Sequence, residues 1–176
     1  MTADAPLAQQ FGKFRIDASS IFFRSDHSFA FVNLRPIVPG HVLVSSLRVV
    51  PRLNELSEEE YTDLWRSVRT VQTILETHMM DTCCSAFNVA VQDGVSAGQS
   101  VPHVHVHILP RSDGDLERND EVYDKLEAWE PNDTTTGSAN PKKRLHVPED
   151  GDRSDRSAQE MQDEAAIYRK IAQDLS

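Results

Sequence analysis

The chain has 176 residues, enough to bury one sizeable core, and its 39% hydrophobic and 26% charged residues are the proportions of an ordinary globular protein. A net charge of −10 argues against a nucleic-acid backbone as partner, because that binding depends on clustered Lys and Arg releasing counterions. No apolar run is long enough to span a membrane, and Met1-Thr2-Ala3-Asp4-Ala5-Pro6 lacks the basic and apolar regions of a secretory leader, so the expected compartment is the cytoplasm, with the nucleus as a second.

A polar lead over residues 1–10, expected to be flexible, precedes Phe11-Gly12-Lys13-Phe14-Arg15-Ile16. Residues 20–24 and 28–34 are rich in aromatic and β-branched side chains and predict two strands, with Ser25-Asp26-His27 as the turn of an antiparallel hairpin. Asn33 falls at the end of the second strand, on the face of Phe29 and Phe31. Arg35-Pro36-Ile37-Val38-Pro39-Gly40 then turns the chain, and residues 41–46 form the next strand, with His41, Leu43 and Ser45 on one face.

The main helix is predicted over residues 57–79. Ser57 and Glu60 fit a capping box, Leu56 and Tyr61 fit a hydrophobic staple, and Glu58, Glu59 and Glu60 suit the positive end of the helix dipole. Tyr61, Leu64, Trp65, Val68, Val71 and Leu75 make an apolar stripe that should cover one face of a sheet. Cys83 and Cys84 are adjacent, a poor geometry for a disulfide, and read as reduced thiols. Residues 86–92 predict a strand with Phe87, Val89 and Val91 on one face and Asn88, Ala90 and Gln92 on the other. The loop that follows carries Gly94 and Gly98, which permit an anion-binding nest of backbone amides, and contains no Lys or Arg.

Pro102-His103-Val104-His105-Val106-His107-Ile108-Leu109-Pro110 is the most informative stretch. In an extended strand His103, His105 and His107 share one face and Val104, Val106 and Ile108 the other, so one strand presents imidazoles to a ligand and aliphatics to a core. At about 3.3 Å per residue the outer two histidines lie roughly 13 Å apart, too far for all three to converge on one metal ion. A pair such as His103 and His105 with a third ligand from elsewhere stays open. A neutral imidazole is a competent nucleophile toward phosphorus near neutral pH, and its neighbours can hydrogen-bond the phosphoryl oxygens. Acyl transfer fits less well, since no Ser or Cys lies in a nucleophile-elbow motif.

After this strand, Val122, Leu126 and Trp129 predict a short helix. Residues 131–156 read as a disordered linker, within which Lys142-Lys143-Arg144 is a solvated charge cluster. Ser157 and Glu160 fit a second capping box, opening a final amphipathic helix over 157–175 with Met161, Ala165, Tyr168, Ala172 and Leu175 on its apolar stripe.

His103-Val104-His105-Val106-His107-Ile108-Leu109 resembles the signature of the histidine triad superfamily of nucleotide hydrolases and transferases. Ser28 to Asn33, Val38 to Val44, Gln92-Asp93-Gly94, Ala97 to Val101, and Asn119-Asp120 with Tyr123 resemble its fragile histidine triad branch, a similarity spanning residues 11–130 and the final helix. The resemblance implies an α+β domain over 11–130 with an antiparallel sheet, a helix on one face and a C-terminal helix, assembled as a homodimer. It implies hydrolysis of diadenosine triphosphate to AMP and ADP through a nucleotidyl-histidine intermediate. By position His105 is then the nucleophile, while His103, His107 and His41 orient it and contact the phosphates. Asn33 is implied as a nucleotide contact, Gln92 as a phosphate-side contact, and Gly98, Gln99, Ser100 and Val101 as the phosphate loop. Phe11, Phe31 and Leu43 are implied in the adenine pocket and Tyr123 in regulation. No covalently bound cofactor and no resident metal are implied; magnesium or manganese would accompany the substrate phosphates. Neither a nucleic acid nor a membrane is expected as partner. Alternatives are a diadenosine tetraphosphate or nucleoside phosphoramidate hydrolase, and, from a different class, a nucleotide-sensing module with slow turnover.

Overall fold

The computed structural model describes residues 7–80, 84–127 and 155–175. Cys83, Trp129, the first six residues and the linker from 131 to 154 lie outside them. The described chain is α+β, as expected. A small hairpin, β1 (Gln9–Phe11) and β2 (Phe14–Ile16), is followed by β3 (Ile21–Arg24), β4 (Ser28–Val32) and β5 (Val42–Ser46). Next come α1 (Glu58–His78), β6 (Cys84–Ala90), β7 (His105–Ser112), α2 (Glu121–Glu127) and α3 (Ala158–Asp174). Five strands pair antiparallel in the order β3-β4-β5-β7-β6.

The sheet is covered on both faces, which is why β4 and β5 are buried at every position and read as near-continuous apolar runs. One face, with Ala30, Val32, Val42, Val44, Val106 and Ile108, packs against Leu64, Val68, Val71, Ile74 and Leu75 of α1 and against Ala165 and Tyr168 of α3. The α3 stripe therefore docks on its own domain, and Leu175 at its end is exposed. The opposite face gathers Phe11, Ile21, Phe29, Phe31, Leu43 and Val101. Both capping boxes form, each with the Ser side chain accepting from the amide three residues on and the Glu side chain accepting from the Ser amide.

Four expectations need correcting. Gln9 and Gln10 lie in β1, paired with Ile16 and Arg15, so the flexible lead expected through residue 10 is shorter by at least these two residues. Asp155 and Arg156 are not linker: both are bound to the turn that follows β4. The expected triad strand starts at His105, because Val104 donates to Val50 and His103 to Val101, hydrogen bonds that lie outside the β5–β7 ladder. Tyr61 leaves the apolar stripe at 42% exposure, its ring resting edge-on against Trp65 at the helix margin.

Candidate active site

The pairing of β5 with β7 sets Leu43 opposite His107 and Ser45 opposite His105, and the pairing of β4 with β5 sets Phe31 opposite Leu43. Aromatic and aliphatic side chains thus lie in the same cross-strand rows as the imidazoles. His41 enters from the turn between β4 and β5, which the Asn33 amide closes by donating to the His41 carbonyl at 3.4 Å. A cleft opens over these residues, lined by Phe11, Asn33, Arg35, Ile37, His41, Leu43, Gln92, Ser100, Val101, His105, His107, Lys125 and Leu126. It adjoins a larger groove lined by Phe11, Phe14, Phe31, Asn33, Arg35, Leu43, Asp155 and Met161, among others.

The hydrogen bonds assign a tautomer to each ring. His105 lies 2.7 Å through Nδ1 from the carbonyl of His103; a carbonyl only accepts, so Nδ1 carries the proton and the lone pair sits on Nε2. His41 accepts at Nδ1 from the amide of Ile37 at 3.2 Å, which leaves its Nε2–H to donate to Nδ1 of His107 at 3.0 Å. His107 must then hold its proton on Nε2, and that atom is buried without a protein partner. A buried donor left unpaired costs free energy until something accepts from it. The cleft therefore holds a nucleophilic nitrogen on His105 beside an unmatched donor on His107, with the two ring centroids 5.0 Å apart.

Burial favours the neutral form of His105, His107 and His103. His105 is pulled down to about 4, chiefly by loss of solvent and opposed by its hydrogen bond to the His103 carbonyl. His107 is pushed well below the ordinary imidazole value by burial and then by the neighbouring His105 and His41. His103 is lowered for the same first reason.

His103 has both ring nitrogens engaged by the backbone. It accepts at Nδ1 from the amide of Gly12 at 3.1 Å and donates from Nε2 to the carbonyl of Ser46 at 2.7 Å, so neither nitrogen faces the cleft. Its own carbonyl accepts from His105 Nδ1 at 2.7 Å. Gly12 makes this possible: at φ +56° it occupies the left-handed region, and an added Cβ would meet Val101 Cγ1 at 2.5 Å. Gly12→Ala is expected to lower stability by about 1–2 kcal/mol in chemical unfolding.

The loop over residues 93–100 turns several of its amides inward. The amides of Ala97 and Gln99 donate to the Gly94 carbonyl and that of Gly98 to the Val95 carbonyl, so the loop uses three of its own donors internally. The Gln99 side chain turns away to the Pro51 carbonyl at 2.7 Å. Of the four residues implied as the phosphate loop, Ser100 and Val101 line the cleft, and Gly98 supplies the left-handed turn that brings them there. Gln92 is buried at the cleft wall and donates to the Leu126 carbonyl at 3.4 Å. Phe11 touches the His105 ring edge-on with centroids 5.1 Å apart, and Phe31 and Leu43 face the adjoining groove. Tyr123 is 54% exposed on α2 and outside both cavities. Arg35 and Lys125, which no motif singled out, also line the cleft, paired with Asp155 and Glu121 respectively.

The HIT domain profile matches residues 15–114, more than half of the chain. The chain belongs to the HIT family. It is 46% identical to the Arabidopsis thaliana bifunctional bis(5'-adenosyl)-triphosphatase/adenylylsulfatase FHIT, a match covering 92% of this chain and 82% of that protein. It is likewise 46% identical to the asymmetrical bis(5'-nucleosyl)-tetraphosphatase of Schizosaccharomyces pombe, over 91% of this chain and 92% of that one. Among solved structures, the C. elegans NitFhit protein superposes with a TM-score of 0.69 at 37% identity, covering 93% of this chain and 30% of that longer one. Among the described residues no helix of this HIT-family chain is long and apolar enough to cross a membrane.

Proposed function

We propose that the chain hydrolyses dinucleoside polyphosphates, diadenosine triphosphate first among them, to AMP and ADP. The observation that carries this reading is the paired tautomer of the cleft: the lone pair on His105 Nε2 beside the unmatched donor on His107 Nε2. His105 Nε2 attacks the α-phosphorus, a phosphorus–nitrogen bond forms, and the bond to the leaving ADP oxygen breaks. His107 donates to a phosphoryl oxygen as charge develops. Water then adds to phosphorus, the phosphorus–nitrogen bond breaks, and AMP leaves with one water consumed overall. One adenosine occupies the groove of Phe11, Phe31 and Leu43. A divalent cation, magnesium or manganese, enters with the phosphates as part of the substrate.

The two relatives carry names for triphosphate and tetraphosphate cleavage, so phosphate-chain length is the feature to assay first. Incubation with diadenosine triphosphate, diadenosine tetraphosphate and adenosine phosphoramidate, quenched early, tests the reading by products and by intact mass. AMP with ADP and an adenylate adduct on His105 is the expected result. Cleavage of the phosphoramidate alone would replace it, and nucleotide binding without cleavage would turn it into a sensor. The reading includes a homodimer in the cytoplasm and nucleus: β6 is an outer strand of the sheet, with Val89 39% exposed on it, and sedimentation tests the assembly. Tyr123, exposed on α2, is its regulatory position.

A further inference from the structure

The turn from Asn33 to His41 forms one wall of the cleft, and nothing within it is helix or strand. Its internal bonds are short-range: Arg35 donates its amide to Asn33 Oδ1 at 3.0 Å, and Ile37 donates to His41 Nδ1. Such a segment holds one geometry only if something outside it does the holding. Val38 and Ile37 pack on Leu109, Val122 and Leu126, and Arg156, the residue just before the N-cap of α3, holds the Asn33 end. Its guanidinium reaches the carbonyl of Asn33 twice, from Nε at 3.0 Å and from Nη2 at 2.5 Å, and its own amide donates to the carbonyl of Leu34 at 3.0 Å. The remaining nitrogen, Nη1, pairs with Glu164, whose second oxygen accepts from the buried Tyr168 hydroxyl at 2.8 Å. At the other end of the turn the same hydroxyl lies 3.4 Å from where a Cβ on Gly40 would stand. Asp155 adds a grip of its own, pairing with Arg35 and lining the groove.

We propose that Arg156 is a positioning residue of the active site, acting through Asn33. A planar guanidinium with two donors on one carbonyl fixes the orientation of the peptide between Asn33 and Leu34. That orientation directs the Asn33 side chain to the junction of cleft and groove, where it lines both and lies 3.3 Å from His41 Nε2. The head of α3 is therefore part of the nucleotide site although it lies 123 residues from Asn33 in sequence. His105 is independent of this support, since its tautomer is set by the His103 carbonyl. The loss should accordingly fall on binding more than on turnover.

This inference rests on the nucleotide reading of the cleft, and its test separates the two. In Arg156→Ala, KM for diadenosine triphosphate and Kd for a non-hydrolysable analogue should rise about tenfold, as when a charged hydrogen bond is lost. Turnover at saturation should stay within about threefold. Arg156→Lys should recover part of the loss, and millimolar guanidinium should restore affinity to the alanine variant. Glu164→Gln, which weakens the anchoring of α3 but leaves the Asn33 carbonyl held, should lower Tm without moving KM. The side-chain amide signal of Asn33 in ligand-free protein should shift in Arg156→Ala and not in Glu164→Gln. An unchanged KM in folded Arg156→Ala, or equal KM increases in both variants, overturns the proposal. If wild-type protein cleaves nothing, the activity reading fails alone, and the Asn33 signal still decides the role of Arg156.

Discussion

His105→Asn is expected to reduce turnover of dinucleoside polyphosphate about ten-thousandfold or more while leaving nucleotide affinity nearly unchanged, because the substitution removes the only group assigned to form a bond to phosphorus. Asparagine keeps a side-chain donor that can reach the His103 carbonyl, which His105 Nδ1 meets at 2.7 Å, so the strand is expected to stay folded. It has no lone pair of imidazole basicity to offer. Single-turnover kinetics with intact-protein mass spectrometry measures both consequences at once: the adenylate adduct should vanish with turnover, and calorimetry should still record nucleotide binding. Retention of an appreciable rate would place the nucleophile elsewhere. The same variant separates an enzymatic from a signalling role in the cell, since a bound complex would survive the substitution.

The second large effect is acid sensitivity, and its sign follows from burial. His105 titrates near 4 in the folded chain against an ordinary value of 6.5, so between these values the unfolded chain binds a proton that the native chain does not. Stability therefore falls as pH drops below about 6.5 and levels off once the folded ring also protonates, near pH 4. From this ring alone, unfolding free energy should be about 2 kcal/mol lower at about pH 5 than at about pH 7.5. His103 and His107 are shifted in the same direction and add to the loss. Urea unfolding at the two pH values measures it, and equal stabilities would contradict the assignment. Glu60 provides the contrast: its hydrogen bond with Arg48 lowers it to about 2, so its contribution disappears only below the ordinary carboxylate range. A comparison at pH 5 thus reports mainly on the imidazoles. Activity should follow the same logic, with kcat/KM showing no decline near 6.5, where a solvated imidazole would protonate.

Much of the architecture was legible because it depends on local periodicity and local chemistry. The stripe of Leu64, Val68, Val71 and Leu75 identifies a helix face whatever covers it, and Ser57 with Glu60 marks its start through bonds made within four residues. The alternation from His105 to Ile108 likewise determines which side chains share a face once the segment is extended. Periodicity could not show where the extension begins, since His103 and Val104 take partners outside the β5–β7 ladder. Nor could it show that His103 is occupied at both nitrogens by Gly12 and Ser46, residues 91 and 57 positions away.

The same divide runs through the site. Identifying four histidines and the Phe11, Phe31 and Leu43 group needs only residue types and their resemblance to a known pattern. Assigning a proton to each ring needs the distances among Ile37, His41 and His107, which no spacing encodes. The nest at Gly94 and Gly98 was permitted by two flexible residues, but whether its amides faced outward depended on where the loop's carbonyls turned, and three amides turned inward. Arg35, Lys125 and Arg156 carry no local signal at all, because a cation on a turn, a short helix and a helix lead reads as a solvated charge until packing brings it to a cleft or a carbonyl. By itself the sequence determined the elements, their faces and the reactive residue types, all of which are properties of neighbours along the chain. Tertiary structure alone decided the tautomers, the orphaned donor on His107 and the hold of Arg156 on Asn33, because each is a relation between groups that only folding brings together.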